Sequence, residues 1–558
     1  MPDATRPRWS GLLAALLLIH LLLILPSHPG AMTPAALGRF PLELPALAIL
    51  LAASPRRWRI ASRGLVTGFL LAMTLVKLLD LAAETAFLRP FNPVLDLALL
   101  PAGLRMLAGA IGPLAAVAAI LAALAALALL AAALWWATGR IAALALPAPW
   151  FAALVPALAI VSLDIGGSSA PVDPPASAPT ARLAFEHVRD IGLARRDLAA
   201  FRIEAAQDPY ATAPPAAILP GLAGTDVFVT FIESYGRTAL ENPLYAPSMT
   251  AALATAEGKI AAAGLAARSG WLTSTTRGGQ SWLAHSTLLT GLRIASDGRY
   301  RALVASPRRT LLSLAREAGW HTAAVVPAIT LTWRESGYFG YDTILAAADL
   351  GYRGKPFNWV TMPDQFTLAA FERRLLDPHP RNPVFAEIAL ISSHAPWTPI
   401  PPVLPWESLG DGAVFDPFAT AGDAPEVVWR DPDRVREQFR LSLVYSLTVV
   451  GEFAARRAAT PPLMIVLGDH QPTGFVAQGY GDDDVPVHVI GPPDLVARFA
   501  DWGWTPGLVP APATPAMPME DFRDRLLTTF GPQAARQAAA AGPEIRARAE
   551  PLPAPAQY

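Results

Sequence analysis

The chain has 558 residues, a net charge of -1, 16% charged residues and a mean hydropathy of +0.35. The length excludes a single ordinary domain, and the near-neutral charge excludes a general attraction to nucleic acid. With no cysteine, disulfides, thiolate metal ligands and a cysteine nucleophile are excluded as well.

Apolar residues concentrate before about residue 165. Five runs read as membrane spans: Trp9–Pro26, Pro41–Ala53, Gly64–Phe87, Leu114–Ala137 and Pro147–Asp164. A helix needs ~20 apolar residues to cross the hydrocarbon core, so Pro41–Ala53 is short for one. Val94–Gly112 stays open between an interfacial or re-entrant helix and a sixth span. With five spans, Arg6, Arg8, Arg56, Arg57, Arg59, Arg63 and Arg140 all fall on the cytoplasmic side, which puts the C-terminal part outside. Lys77, Asp80 and Glu84 share one face of the third span, either as a self-compensating structural cluster or as a headgroup site.

Gly166–Ala181 is a Gly/Ser/Pro-rich linker, and Arg182–Ala206 a mixed-charge helix expected to pack against protein. From Asp226 onwards strands and helices alternate. Val227–Ile232, His321–Pro327, Val384–Ile391, Leu463–Leu467 and Val485–Ile490 read as strands; Ser248–Ala267, Ser281–Leu289, Thr310–Ala318, Gln365–Leu376 and Asp433–Arg457 read as helices. This is the pattern of an α/β domain with a central, mostly parallel sheet, where ligands bind at the carboxyl ends of the strands. The regions are then 1–165 transmembrane, 166–225 linker and juxtamembrane helix, 226–545 extracytoplasmic domain, and 546–558 a disordered tail.

Three polar sites follow strands: Glu233, His394, and Asp469 with His470. Carboxylate and imidazole ligands suit a divalent cation. Ser281 follows a Gly278-Gly279 turn and opens a helix. It is either an ordinary N-cap or a hydroxyl held near free N–H groups, where an anionic substrate binds well. Each site alone is ordinary; their joint placement at one sheet edge is not. His488 lies within a strand pattern, in the core or supporting the site, and Gln471–Asp484 reads as a mobile loop beside it.

Val229-Thr230-Phe231-Ile232-Glu233-Ser234, the Ser281 stretch, Ser393-His394-Ala395-Pro396-Trp397 and Val466-Leu467-Gly468-Asp469-His470 resemble the sulfatase-like branch of the alkaline phosphatase superfamily. With the apolar N-terminal half, the chain resembles the membrane-bound lipoteichoic acid synthase and phosphoglycerol transferase group. The resemblance implies Glu233, Ser281, Asp469 and His470 as ligands of one divalent ion, Mn²⁺ or Zn²⁺ with Mg²⁺ as a further option. It implies Ser281 as nucleophile and His394, Trp333 and Arg334 as substrate contacts. Leu288-Leu289-Thr290-Gly291 matches the end of the sulfatase signature, but Leu283, Ala284 and His285 replace its proline, serine and arginine. Sulfatase chemistry on a modified nucleophile is therefore not expected. The implied activity is transfer of a phosphoglycerol-type headgroup from a membrane phospholipid to a glycan or other hydroxyl acceptor, at a plasma membrane of bacterial type. A phosphodiesterase or sulfatase-type hydrolase and a non-catalytic membrane sensor or scaffold are the alternatives.

Overall fold

The computed structural model describes residues 9–33, 38–87, 89–166, 176–358, 361–377 and 381–532. The expected tail 546–558, Arg6, Arg8 and most of the linker lie outside the described residues. The chain divides into two compact units, Met1–Ala200 and Phe201–Tyr558.

The first unit contains α1 (Trp9–Ile24), α2 (Glu43–Ala52), α3 (Arg59–Phe87), α4 (Leu100–Ile111), α5 (Pro113–Ala142), α6 (Leu154–Gly166) and α7 (Pro179–Ala205), the last containing the division. Among the described residues three helical stretches are long and apolar enough to cross a membrane: Arg59–Thr85, Pro113–Ala142 and Pro149–Gly166. The expected five full spans are therefore three long helices and two shorter apolar ones, α1 with 16 residues and α2 with 10. Ten residues rise only about 15 Å, half of the ~30 Å hydrocarbon core. The open segment 94–112 is likewise too short to span: it forms brief turns and α4, then breaks at Gly112 (φ 86°) before Pro113. On α5, Leu114, Leu121, Leu124 and Leu129 are exposed, as side chains facing lipid would be. Leu12, Ile19 and Leu23 of α1 pack with Val66 and Leu70 of α3 and Leu134 of α5.

Two of the charges of α3, Lys77 and Asp80, have fixed partners. Lys77 Nζ donates to the Leu22 and Leu23 carbonyls (3.0 and 2.7 Å) and to Thr180 Oγ1 (2.8 Å). Asp80 accepts from the Phe91 N–H (3.0 Å) and pairs with His187 Nε2 (2.9 Å). Of the two readings for this cluster, these contacts make Lys77 and Asp80 structural anchors.

The second unit is built on one mixed nine-stranded sheet. Its strands are β1 (Val227–Ile232), β2 (Ala266–Thr273), β3 (His321–Val326), β4 (Thr343–Ala346), β5 (Val384–Leu390), β6 (Leu463–Gly468), β7 (Asp484–Gly491), β8 (Thr505–Pro506) and β9 (Ala516–Pro518). The spatial order is β8-β2-β7-β6-β1-β5-β3-β4, with β9 beside β2. The run β6-β1-β5-β3-β4 is parallel, whereas β7 is antiparallel to both β6 and β2. The expected sheet thus has a parallel core and an antiparallel arm. β1 is buried at all six positions, as a central strand covered on both faces must be. Its alternate residues feed two cores: Phe228 and Ile232 one, Val227, Val229 and Phe231 the other.

The expected helix Ser248–Ala267 ends early. The helix, α8, is Ala246–Ala262; Gly264 takes φ 77° and the Leu265 N–H returns to the Ile260 carbonyl. The chain then enters β2, of which the expected helix covers only Ala266 and Ala267 and the rest has no expected element.

Candidate active site

The carboxyl ends of β1 and β6 lie side by side, paired from Val227 with Leu463 to Ile232 with Gly468. Their two loops can meet only because neither carries a Cβ at the crossing. A Cβ on Gly468 would lie 1.8 Å from the Tyr235 carbonyl oxygen, and one on Gly236 1.9 Å from Gln471 Oε1. Ser234 adopts a left-handed φ of 57°, and its N–H donates to Asp469 Oδ1 (2.8 Å). The His470 N–H donates to the same oxygen (2.7 Å).

Ser281 is the first residue of α9 (Ser281–Thr290), and the cap position belongs to Gln280 in a left-handed conformation (φ 64°). The N-cap reading of Ser281 is thereby corrected. After Gly278 and Gly279, both at positive φ, the serine hydroxyl turns away from its own helix. It donates to Glu233 Oε2 (3.1 Å) and lies 3.2 Å from His470 Nε2. Nε2 is also 3.4 Å from Glu233 Oε1 and 3.5 Å from Asp469 Oδ2. Nδ1 of His470 hydrogen-bonds the Gln471 carbonyl (2.8 Å), which fixes the tautomer and aims Nε2 at the cluster.

Glu233, Asp469 and His470 present ligand atoms within 4.8 Å of one another, the one such group of three among the described residues. Asp469 Oδ2 is buried with no hydrogen-bond partner. Burial and the adjacent Glu233 charge push Asp469 up to about 6. Burial opposes the charged form of His470, but the Asp469 and Glu233 carboxylates overcome it and raise the imidazole to about 9. Burial also acts against ionised Glu233; the hydrogen bond and charge of His470 outweigh it and hold that carboxyl below the usual range. Two carboxylates, an imidazole nitrogen and a hydroxyl converge around an orphaned oxygen, which is the donor set a hard or borderline divalent cation takes.

The cluster opens into a cavity of about 260 Å³ whose lining includes Ser281, His394 and Trp333. His394 is carried by the loop after β5. Buried Asp364 fixes this loop by accepting the Ile391 and Ser392 N–H groups (2.8 and 2.9 Å), and Ser393 Oγ donates to the Glu233 carbonyl (2.6 Å). Trp333 packs beside Phe339 and Tyr341, with centroids 5.6 and 5.8 Å away. Arg334 is exposed and is not part of the lining. Gln471–Asp484, expected as a loop, contains the short helix Gly474–Ala477 and is tied down where Arg277 bridges Gln471. His488 is fully buried behind the site: Nε2 meets Tyr235 Oη (3.1 Å) and Nδ1 meets Ser269 Oγ (2.7 Å).

Two cavity residues escaped the sequence reading as site candidates. Glu387 was hidden in an apolar strand, and His285 entered only as a departure from a motif; in the structure they pair at 2.8 Å.

No family model matches the chain, and no curated protein does. Solved structures do. The lipooligosaccharide phosphoethanolamine transferase A (EptA) of Neisseria meningitidis, an integral membrane protein, is 13% identical with a TM-score of 0.46, covering 93% of this chain and 95% of its own. The lipoteichoic acid synthase LtaP of Listeria monocytogenes is 12% identical with a TM-score of 0.34 over 48% of this chain; the match spans 65% of the Listeria chain. A Vibrio parahaemolyticus protein in the alkaline phosphatase superfamily is 14% identical with a TM-score of 0.34, covering 60% of this chain and 75% of its own. The Listeria and Vibrio matches are of the types that the motifs resemble; the Neisseria protein, a phosphoethanolamine transferase, is of a type the motifs resemble less. At such low scores they bear no weight in the chemistry that follows, which rests on the site.

Proposed function

We propose that the chain is a membrane-anchored, metal-dependent enzyme of phosphodiester chemistry, moving a phospholipid headgroup of the phosphoglycerol or a related type to a glycan or other hydroxyl acceptor through Ser281. One observation carries the reading: the Ser281 hydroxyl sits 3.1 Å from Glu233 and 3.2 Å from His470, beside the unpartnered oxygen of Asp469. A structural cap has no use for such neighbours. A nucleophile that must lose its proton has.

Glu233, Ser281, Asp469 and His470 would hold the ion, Mn²⁺ or Zn²⁺ by donor type. When bound, it supplies positive charge that favours the serine alkoxide and offsets charge on the phosphoryl oxygens. Ser281 Oγ then attacks phosphorus as its proton passes to solvent; the lipid alkoxide leaves and takes a proton from solvent, and a serine phosphoester remains. His394, at the cavity wall, gives its Nδ1 proton to the Ala395 carbonyl, so it would donate to a phosphoryl oxygen through Nε2 in its doubly protonated form. The acceptor hydroxyl attacks in the second step and restores Ser281. The long apolar helices of the first unit support anchoring near a lipid donor, with the catalytic unit on the extracytoplasmic side.

Mass spectrometry of the full chain, incubated with phosphatidylglycerol vesicles and Mn²⁺ and then acid-quenched, tests this. A glycerophosphoryl adduct on Ser281 is expected, absent from Ser281→Ala. Full turnover by Ser281→Ala would remove the serine from the mechanism. Release of glycerophosphate to water despite excess hydroxyl acceptor would make the enzyme a hydrolase.

A further inference from the structure

The cavity holds a second set of polar groups that the metal cluster does not use. His285 lies one helical turn after Ser281, on the same face of α9. Its Nδ1 is 2.8 Å from Glu387 Oε1, and the hydroxyl of Tyr341 donates to Glu387 Oε2. The imidazole stacks on Phe231, with centroids 3.7 Å apart and planes 12° from parallel. His285, Glu387 and Tyr341 all line the cavity that Ser281 and His394 enter.

Glu387 is an expensive residue in its place. It sits mid-strand in β5, between Val229 of β1 and Ala324 of β3, and is 2% exposed. A carboxylate buried in the middle of a sheet is destabilising unless it is hydrogen-bonded. Its two partners both come from the cavity wall. Nδ1 of His285 donates to it, which leaves Nε2 as the basic nitrogen, and the side chain keeps 14% of its surface accessible. An imidazole with a fixed tautomer, a fixed plane and a carboxylate behind it can accept a proton and have the resulting charge compensated. His394 differs: its Nδ1 meets the Ala395 carbonyl (2.5 Å), and it has no hydrogen-bonded carboxylate among the described residues.

We propose that His285, positioned by Glu387, is the general base that discharges the phosphoserine. This rests on the reading of Ser281 as nucleophile. The proton of the acceptor hydroxyl passes to His285 Nε2 as the acceptor oxygen bonds to phosphorus. The bond between phosphorus and Ser281 Oγ breaks, and the serine oxygen keeps the electron pair. The proton then leaves His285 through solvent, and a proton restores the Ser281 hydroxyl, so the cycle closes with no net change in the enzyme. Glu387 and Tyr341 touch no reacting atom and hold the imidazole.

The test separates the two steps with bis(4-nitrophenyl) phosphate, Mn²⁺ and glycerol as acceptor, using the full-length protein in detergent. Nitrophenolate departs without a proton, so the first step needs no acid and appears as a burst. In His285→Gln the burst is expected within about threefold of wild type, while steady-state turnover falls on the order of 10²- to 10⁴-fold and the adduct accumulates on Ser281. Glu387→Gln is expected to show the same split with a smaller loss, and Tyr341→Phe a smaller one still. Turnover of His285→Gln at the wild-type rate would overturn the proposal, as would burst and turnover falling together in correctly melting protein. Absence of any Ser281 adduct in the wild type would instead overturn the nucleophile reading, and this inference with it.

Discussion

Two regions of the molecule bury charge, and they do so differently. In the first unit Lys77 spends its three protons on two helix-end carbonyls and the Thr180 hydroxyl, and Asp80 holds a backbone N–H and His187. Glu43 caps α7 by accepting the Thr180 and Ala181 N–H groups through Oε1 (2.8 and 2.9 Å); its Oε2 has no partner, but no third ligand group converges on it among the described residues. In the second unit Glu233, Asp469 and His470 converge, Ser281 joins them, and Asp469 Oδ2 is left over. Burial of charge therefore does not mark a site by itself. Convergence of several ligand groups around a buried oxygen with no hydrogen-bond partner does, because their mutual repulsion adds nothing to the stability of the fold.

Substitution can break this comparison. The largest effect is expected from Asp469→Asn. Mn²⁺ affinity, read by calorimetric titration, should fall at least about 100-fold, or about 2.7 kcal/mol, with activity lost alongside. The metal-free protein should melt no lower than wild type, because the carboxylate being neutralised is repelled by Glu233. A destabilised apo-protein with unchanged Mn²⁺ affinity would make the cluster structural. Lys77→Met should do the reverse: a loss of about 1–3 kcal/mol in stability, from the Leu22 carbonyl and the Thr180 oxygen losing this donor while Leu23 keeps only the Thr180 hydroxyl, with Mn²⁺ affinity unchanged. If Lys77→Met left the melting temperature intact, the anchoring role would be gone.

Much of this was legible in the chain, and what was not has physical causes. β1 and β6 announce themselves as apolar runs ending in polar residues, because a strand covered on both faces must be apolar and must stop where the ligand edge begins. Glu233, Ser281, Asp469, His470 and His394 are each found at or beside that edge. β2 was not legible: its Ala266-Ala267-Arg268-Ser269 start continues the alanine-rich texture of α8, and only Gly264 marks the break. α2 counts among the expected spans although its run is already short for one, and the helix, Glu43–Ala52, is shorter still. Glu387 was hidden for the opposite reason. A single carboxylate in Val384–Leu390 looks like noise until the fold brings His285 and Tyr341 to it. Arg334 shows the limit of motif transfer, since it is adjacent to Trp333 in sequence yet exposed and outside the lining.

A third kind of buried titratable group sharpens the contrast, with the smallest expected effect. His488 is neither charged and anchored nor poised for a ligand: burial lowers it from 6.5 to about 3, so it stays neutral in the folded chain. Its neighbours fit that state. The Ser269 hydroxyl donates to the Gly507 carbonyl (2.8 Å) and so accepts from Nδ1, and the Tyr235 hydroxyl is left to donate to Nε2. With the folded value below the unfolded one, the unfolded chain takes up a proton that the folded chain refuses. The stability this residue contributes is thus fully present above about 6.5 and is lost as pH falls from there toward about 3. Between pH 6 and pH 5 the loss from one such group is about 1 kcal/mol. Denaturant unfolding of the second unit at the two pH values should show that slope in the wild type, and a shallower one in His488→Gln. Parallel slopes would mean that the imidazole already titrates in the folded protein, and that His488 belongs with the charged anchors rather than with the neutral core.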